Sequence, residues 1–251
     1  MAHFYVAFNH LLLGRFAECE AAASRARAVG ETIGDPRLQC YAAFTIGWMA
    51  GSRGDRESAV DACERSRKLA PDPVSHVYAT GFLGLANVET GDAPAAIPLL
   101  QSAVSELERF GYAQFHGMFM TLLGEAYRQR GDIERAVELA TQGIDLTKRC
   151  GYVLGIGVGQ RVLGAIALAR GALADAETAF TDALGTFASI DAVFEIARSR
   201  LDLARVAFAQ GHDEAARTHV REAHRTFVQA EAPVYVRRAE QLAAERGVPL
   251  R

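Results

Sequence analysis

Cysteine is scarce in this 251-residue chain: Cys19, Cys40, Cys63 and Cys150 are the only four, and no two of them form a C-x-x-C pair. Their spacing gives neither a zinc site nor a dithiol redox motif, and a reducing, cytoplasmic setting fits best. An excess of charge of one sign is missing as well. With 27 basic and 30 acidic residues mixed along the length, the net charge is −3. That leaves no broad positive field to hold a polyphosphate, so nucleic acid is not an expected partner. The N-terminus Met1-Ala2-His3-Phe4-Tyr5 lacks the basic region, apolar run and small-residue cleavage site of a secretory signal. The most membrane-like stretch, 151–171, carries Gln160 and Arg161 at its centre and is broken by glycines. It reads as a buried helix of a soluble protein, and no membrane partner is expected.

Catalytic constellations are equally thin. No G-x-x-x-x-G-K-[ST] occurs, and Gly155-Ile156-Gly157-Val158-Gly159 falls at the opening of a helix, without the preceding strand a phosphate loop requires. Among the seven histidines none forms H-E-x-x-H; His219 and His224, five apart, point to different sides of a helix. Ser75 beside His76 lacks both an elbow turn and a third orienting group. The expectation is a protein that is not an enzyme, with no catalytic residue, cofactor or metal.

Glycine, by contrast, is plentiful and regularly placed. Gly14, Gly54, Gly91, Gly131, Gly171 and Gly211 are separated by 40, 37, 40, 40 and 40 residues, and each sits between two helix-like segments. Eight residues before each stands Val6, Ile46, Leu83, Leu123, Leu163 or Leu203, followed at once by Ala7, Gly47, Gly84, Gly124, Gly164 or Ala204. Five residues after come Cys19, Ala59, Ala96, Ala136, Ala176 and Ala216, and twelve after come Ala26, Ser66, Ala103, Gly143, Ala183 and Ala223. Antiparallel helices approach closely only where the facing side chains are tiny, so these positions predict six helix-turn-helix hairpins. Each anchor glycine suits a left-handed C-cap, and Asp55, Asp92 and Asp132 suit the N-cap that follows.

The pattern Leu123-Gly124, Tyr127, Gly131 and Ala136 resembles the tetratricopeptide repeat. So do Leu163-Gly164, Gly171, Ala176, Phe180 and Ala183, while Pro71 stands where the family places a terminal proline. The period of 40 exceeds the family's roughly 34, which predicts a longer second helix and connection, and most repeats lack the family's early tryptophan. Longer repeats of this kind resemble the helical regions of large bacterial regulators. The resemblance implies an all-α fold: a right-handed α-solenoid in one domain, 1–251, with repeats at about 1–38, 39–75, 76–113, 114–153, 154–193 and 194–232 and a capping helix at 233–247.

In this family the groove is lined from positions 13, 10, 6 and 3 residues before the turn glycine. Among the residues these positions select are Tyr41, Phe44, Trp48, Tyr78, Leu85 and Met118 in the N-terminal half and Glu125, Arg128, Arg161, Arg198 and Arg205 in the C-terminal half. The functional expectation is an interaction scaffold or regulatory module that holds a protein or peptide in its concave groove. Aromatics would take apolar anchors and arginines would take carboxylates. The competing expectation is that the aromatics pack into neighbouring helices and the arginines pair with acids such as Asp202 and Glu195. A second functional expectation is a ligand- or peptide-sensing domain of a larger signalling or transcription regulator, in which binding changes the superhelix pitch. The groove lacks the lysine-and-asparagine clamp that some relatives use for a peptide C-terminus.

The ends differ. The last helix, rich in Arg237, Arg238, Glu240, Gln241, Glu245 and Arg246, reads as a solvating cap. The first carries Phe4, Tyr5, Val6, Phe8, Leu11, Leu12 and Leu13 with no charge before Arg15, and is expected to pack on another domain or subunit.

Overall fold

The computed structural model describes residues 2–113 and 115–250, and these form thirteen α-helices. Helices α1 (Ala2–Leu12) and α2 (Phe16–Ile33) make the first hairpin, α3 (Pro36–Arg53) and α4 (Arg56–Leu69) the second, and α5 (Pro73–Glu89) and α6 (Ala93–Phe110) the third. The fourth pairs α7 (His116–Gln129) with α8 (Ile133–Arg149), the fifth α9 (Val153–Ala169) with α10 (Leu173–Ala188), and the sixth α11 (Val193–Gln210) with α12 (Asp213–Gln229). A single helix, α13 (Pro233–Glu245), follows. The architecture is the expected six-hairpin solenoid.

Every hairpin turns at one of the six anchor glycines, all left-handed with φ between 68° and 85°. Asp55, Asp92 and Asp132 each accept a hydrogen bond from the backbone N–H three residues on, at 3.1 to 3.2 Å. A second set of caps escaped the sequence reading. Asp35 and Asp72 close the starts of α3 and α5 in the same way, each followed directly by proline. The connections between hairpins carry their own left-handed series, Gly111, Gly151, Asp191 and Glu231, spaced at 40 but with glycine in only half of it. The extra length of each repeat does not go into those connections. Where the fourth and fifth hairpins meet it lies in the helices, since 17 residues in α8 and 17 in α9 are separated by only Cys150, Gly151 and Tyr152.

The small-residue positions meet as the spacing requires. A Cβ on Gly124 would lie 2.9 Å from the Ala136 carbonyl oxygen and 3.1 Å from the Ala140 nitrogen, and one on Gly47 would lie 3.0 Å from the Ala59 carbonyl. The tightest crossing joins α7 to α8, where a Cβ on Gly117 would come within 2.5 Å of the Gly143 oxygen, a backbone atom with nowhere to go. Gly117→Ala is therefore expected to destabilise the fold by about 1–3 kcal/mol through overpacking. Gly185→Ala, in a helix with open space around the new methyl, should stabilise by about 0.5–1 kcal/mol. Paired urea titrations of the two variants read the contrast. Gly155, Gly157 and Gly159 serve the same purpose: within α9 they make room for Thr147, Phe187 and Ile144.

The solenoid curls until its ends touch. Phe16 at the start of α2 packs edge-on against Phe194 of α11, with ring centroids 5.0 Å apart. Gly14 lies beside Phe194 and Ala230, and Val234 of α13 fills the space over Gly54. The expectation for α1 needs correcting: this chain itself covers most of its apolar residues. Phe4 packs on Tyr41 and Phe44 and Phe8 on Trp48, leaving Tyr5 and Val6 exposed. The capping helix also does more than solvate. It exposes most of its charges while burying Tyr235, Ala239, Leu242 and Ala243 at the seam, and it brings Arg238 to the inner cavity. No helix of the described residues is long and apolar enough to cross a membrane.

Candidate functional site

The groove positions divide into two groups with different fates. In the N-terminal half the first helices of successive hairpins stack their aromatics into one ladder. Phe44 lies on Phe82 at 4.2 Å and nearly parallel, Trp48 tilts onto Phe82, and Phe82 meets Phe115 and Phe119 edge-on. Tyr78 reaches Phe115, which continues the ladder to Tyr152. Phe44, Trp48, Tyr78, Leu85 and Met118 are all at most 5% exposed, and Tyr41 is half-buried. As an open surface for apolar anchors this half is corrected: α1 lies over it and the ladder consumes the rings in helix packing. The emission of Trp48, the single tryptophan, is expected to be blue-shifted and barely quenched by acrylamide, and unchanged when a partner binds.

In the C-terminal half the structure brings the selected residues together. Glu125 and Arg128 of α7, Arg161 of α9, and Arg198 and Arg205 of α11 line one cavity of about 460 Å³ on the inner face of the curl. Its apolar wall comes from residues such as Leu122, Leu168 and Leu201. The 40-residue period returns these positions to the same side of each first helix, so residues far apart in sequence converge on one space.

Arg198 is at the centre. Its Nη2 donates to both oxygens of Glu89 at 2.9 Å, and its Nη1 donates to Glu195 Oε1 at 3.1 Å. Glu89 ends α5 and Arg198 lies in α11, 109 residues on, so this pair crosses the lumen from the third hairpin to the sixth. Tyr235 of α13 adds a hydrogen bond from its hydroxyl to Glu89 at 3.3 Å, while Arg198 and Arg238 flank its ring. Arg161 Nε stands 3.5 Å from Glu195 Oε2 without the alignment of a hydrogen bond. Two local pairs complete the lining: Arg128 binds both oxygens of Glu125 at 2.7 Å, and Arg205 binds Asp202 at 2.8 Å.

Burial works to raise the Glu89 pKa, but the charges of Arg198 and Arg161, with the hydrogen bond from Arg198, hold it below the ordinary carboxylate value. Burial likewise opposes the charge on Arg198, and Glu195 and Glu89 outweigh it. The Tyr235 hydroxyl is pushed up to about 12 by burial and stays a neutral donor. The expected pairing of arginines with Glu195 and Asp202 is thus present for Arg198 and Arg205. Sequence reasoning missed Glu89, Tyr235 and Arg238. Glu89 stands two residues before a turn glycine, outside the groove positions, and the other two belong to the helix read as a cap.

A tandem helical-repeat protein closed around a charged lumen is the class that this fold and site define. Residues 117–142 and 197–222 match the tetratricopeptide repeat family. No curated protein matches the chain in sequence. Among solved structures it is similar to NprR in complex with its cognate peptide NprX (15% identity, TM-score 0.71, covering 98% of this chain and 72% of that one). It is also similar to a Rap protein complexed with competence and sporulation factor (11% identity, TM-score 0.68, 98% and 75%). Aspartyl phosphate phosphatase F from Bacillus subtilis is a third (10% identity, TM-score 0.59, 96% and 69%). At these identities the likeness is one of fold.

Proposed function

We propose that this chain is a peptide-binding regulatory module and that its ligand occupies the lumen between α5, α7, α9, α11 and α13. The observation that carries the reading is the arginine-lined cavity, partly open to solvent, on the inner face of the curl. At about 460 Å³ it falls within the range of small-ligand sites and is too small for a folded partner. Glu125, Arg128, Arg161, Arg198 and Arg205 are its proposed binding residues. The likeness to NprR and Rap structures that contain peptides supports it. The chain acts as a single solenoid domain, with six repeats that open at α1, α3, α5, α7, α9 and α11 and α13 as both cap and seam.

The module works by binding rather than by catalysis. The lumen's carboxylates are committed to guanidinium partners, and Glu89 is held charged rather than poised near neutrality for proton transfer. A cytoplasmic setting accords with four free thiols, three of them buried.

The sensing form of this reading has its own support: the pair between Glu89 and Arg198 links distant hairpins across the lumen, so a ligand beside it acts on the curvature of the whole solenoid. The test immobilises the full chain and exposes it to the small-peptide fraction of a cell extract. Wild type should retain peptides that Arg161→Glu does not, and small-angle scattering should register a changed radius of gyration on binding. Equal retention by both proteins, or none by the wild type, would remove the lumen as the ligand site. Retention without a change in radius would leave a scaffold and discard the sensor.

A further inference from the structure

Three guanidiniums and two carboxylates meet on the inner face: Arg161, Arg198 and Arg238 with Glu89 and Glu195. The remaining charges of the lining, Arg128 with Glu125 and Arg205 with Asp202, cancel in local pairs. One positive charge is left over on the inner face. Two of the guanidiniums have capacity to spare. Among the described residues Arg238 makes neither an ion pair nor a hydrogen bond and simply stacks on Tyr235 at 4.7 Å. Arg161 has only its misaligned approach to Glu195, although its side chain is just 15% exposed. The buried Arg161 Nε without an acceptor costs free energy, and the exposed Arg238 keeps its donors for a ligand, so the arrangement is incomplete as it stands.

Resting on the reading that the lumen is the ligand site, we propose that it is built for a carboxylate, carried by the ligand as an acidic side chain or a free C-terminus and held between Arg161 and Arg238 beside the Glu89–Arg198 pair. A carboxylate brings one negative charge and neutralises the excess. A phosphate monoester brings about two and would leave one negative charge uncompensated beside Glu89 and Glu195. Glu89 shows that this inner face already accommodates the geometry, since Arg198 and Tyr235 grip its carboxylate from two sides.

The test passes a random heptapeptide pool with free C-termini over the immobilised full chain. In parallel, glutarate and inorganic phosphate are titrated against its thermal unfolding. Retained peptides should be enriched in Asp and Glu or should lose affinity on C-terminal amidation; the first result assigns the side chain, the second the terminus. Their affinity should fall about tenfold in Arg238→Gln, the cost of one charge-assisted contact. That substitution changes an exposed side chain and should leave the fold intact. Glutarate should raise Tm of the wild type more than phosphate does, and should leave Arg238→Gln unmoved.

Peptides retained with neither acidic enrichment nor sensitivity to amidation would overturn the carboxylate site and leave peptide binding standing. If no peptide is retained, the peptide reading fails and glutarate decides alone: a shift abolished in Arg238→Gln keeps the site, and no shift overturns it. A stronger response to phosphate than to glutarate overturns the assignment to a carboxylate.

Discussion

Arg198→Met should cost about 3–5 kcal/mol of stability, the penalty for stranding a buried carboxylate without its partner. Glu89 would then keep only the Tyr235 hydrogen bond and the more distant charges of Arg161 and Arg238, because both of its short contacts to a guanidinium come from Arg198. The double variant Glu89→Leu, Arg198→Met should recover the part of the loss that comes from Glu89, since exchanging a buried ion pair for apolar groups of similar size removes the desolvation penalty together with the attraction, while Glu195 still lacks its Arg198 contact. Urea titration of the four proteins completes the cycle, and equal losses in the single and double variants would refute the assignment. The deficit also has a sign in pH. Glu89 is held below its ordinary value of 4.5, so its contribution is present above that value and is lost as pH falls through the lower folded value. Without Arg198 the carboxyl takes up a proton more readily, and the gap between Arg198→Met and wild type should narrow in acid.

Phe82→Ala is expected to cost a similar amount, about 3–5 kcal/mol, for a different reason. Phe82 is fully buried and packs ring against ring with Phe44, Trp48, Phe115 and Phe119, which come from the hairpins on both sides of its own as well as from the loop before α7. Removing the ring leaves a cavity bordered by four other rings held at fixed helix spacings, so little of it can collapse. A fall in urea midpoint with an unchanged slope would show lost packing alone. A changed slope would show that the ladder joins the two halves into one cooperative unit.

The hairpins were legible in the sequence because a turn glycine, a small residue seven before it and another five after it encode a purely local contact, and Gly124 against Ala136 realises it. The convergence of Arg128, Arg161, Arg198 and Arg205 was legible for a related reason: a constant period carries a position around the curl. The fate of Phe44 and Trp48 was not. The position rule that selects groove residues assumes an open groove, and it contains nothing about α1 lying across the first helices or about how deeply successive rings interleave. Glu89 and Tyr235 were further out of reach, since their meeting depends on the sum of many small rotations between repeats, a quantity no single repeat displays.

Most tandem-repeat proteins are open-ended, so that a unit can be gained or lost and the neighbours simply restack. The seam of Phe16 on Phe194 and of Val234 over Gly54 removes that freedom here. Deleting one 40-residue unit would leave the ends facing each other at the wrong angle, and adding one would drive them past each other. The contact ties the angles between all six hairpins to one another, as closure ties the strands of a barrel, so a change at one repeat interface is felt at the seam.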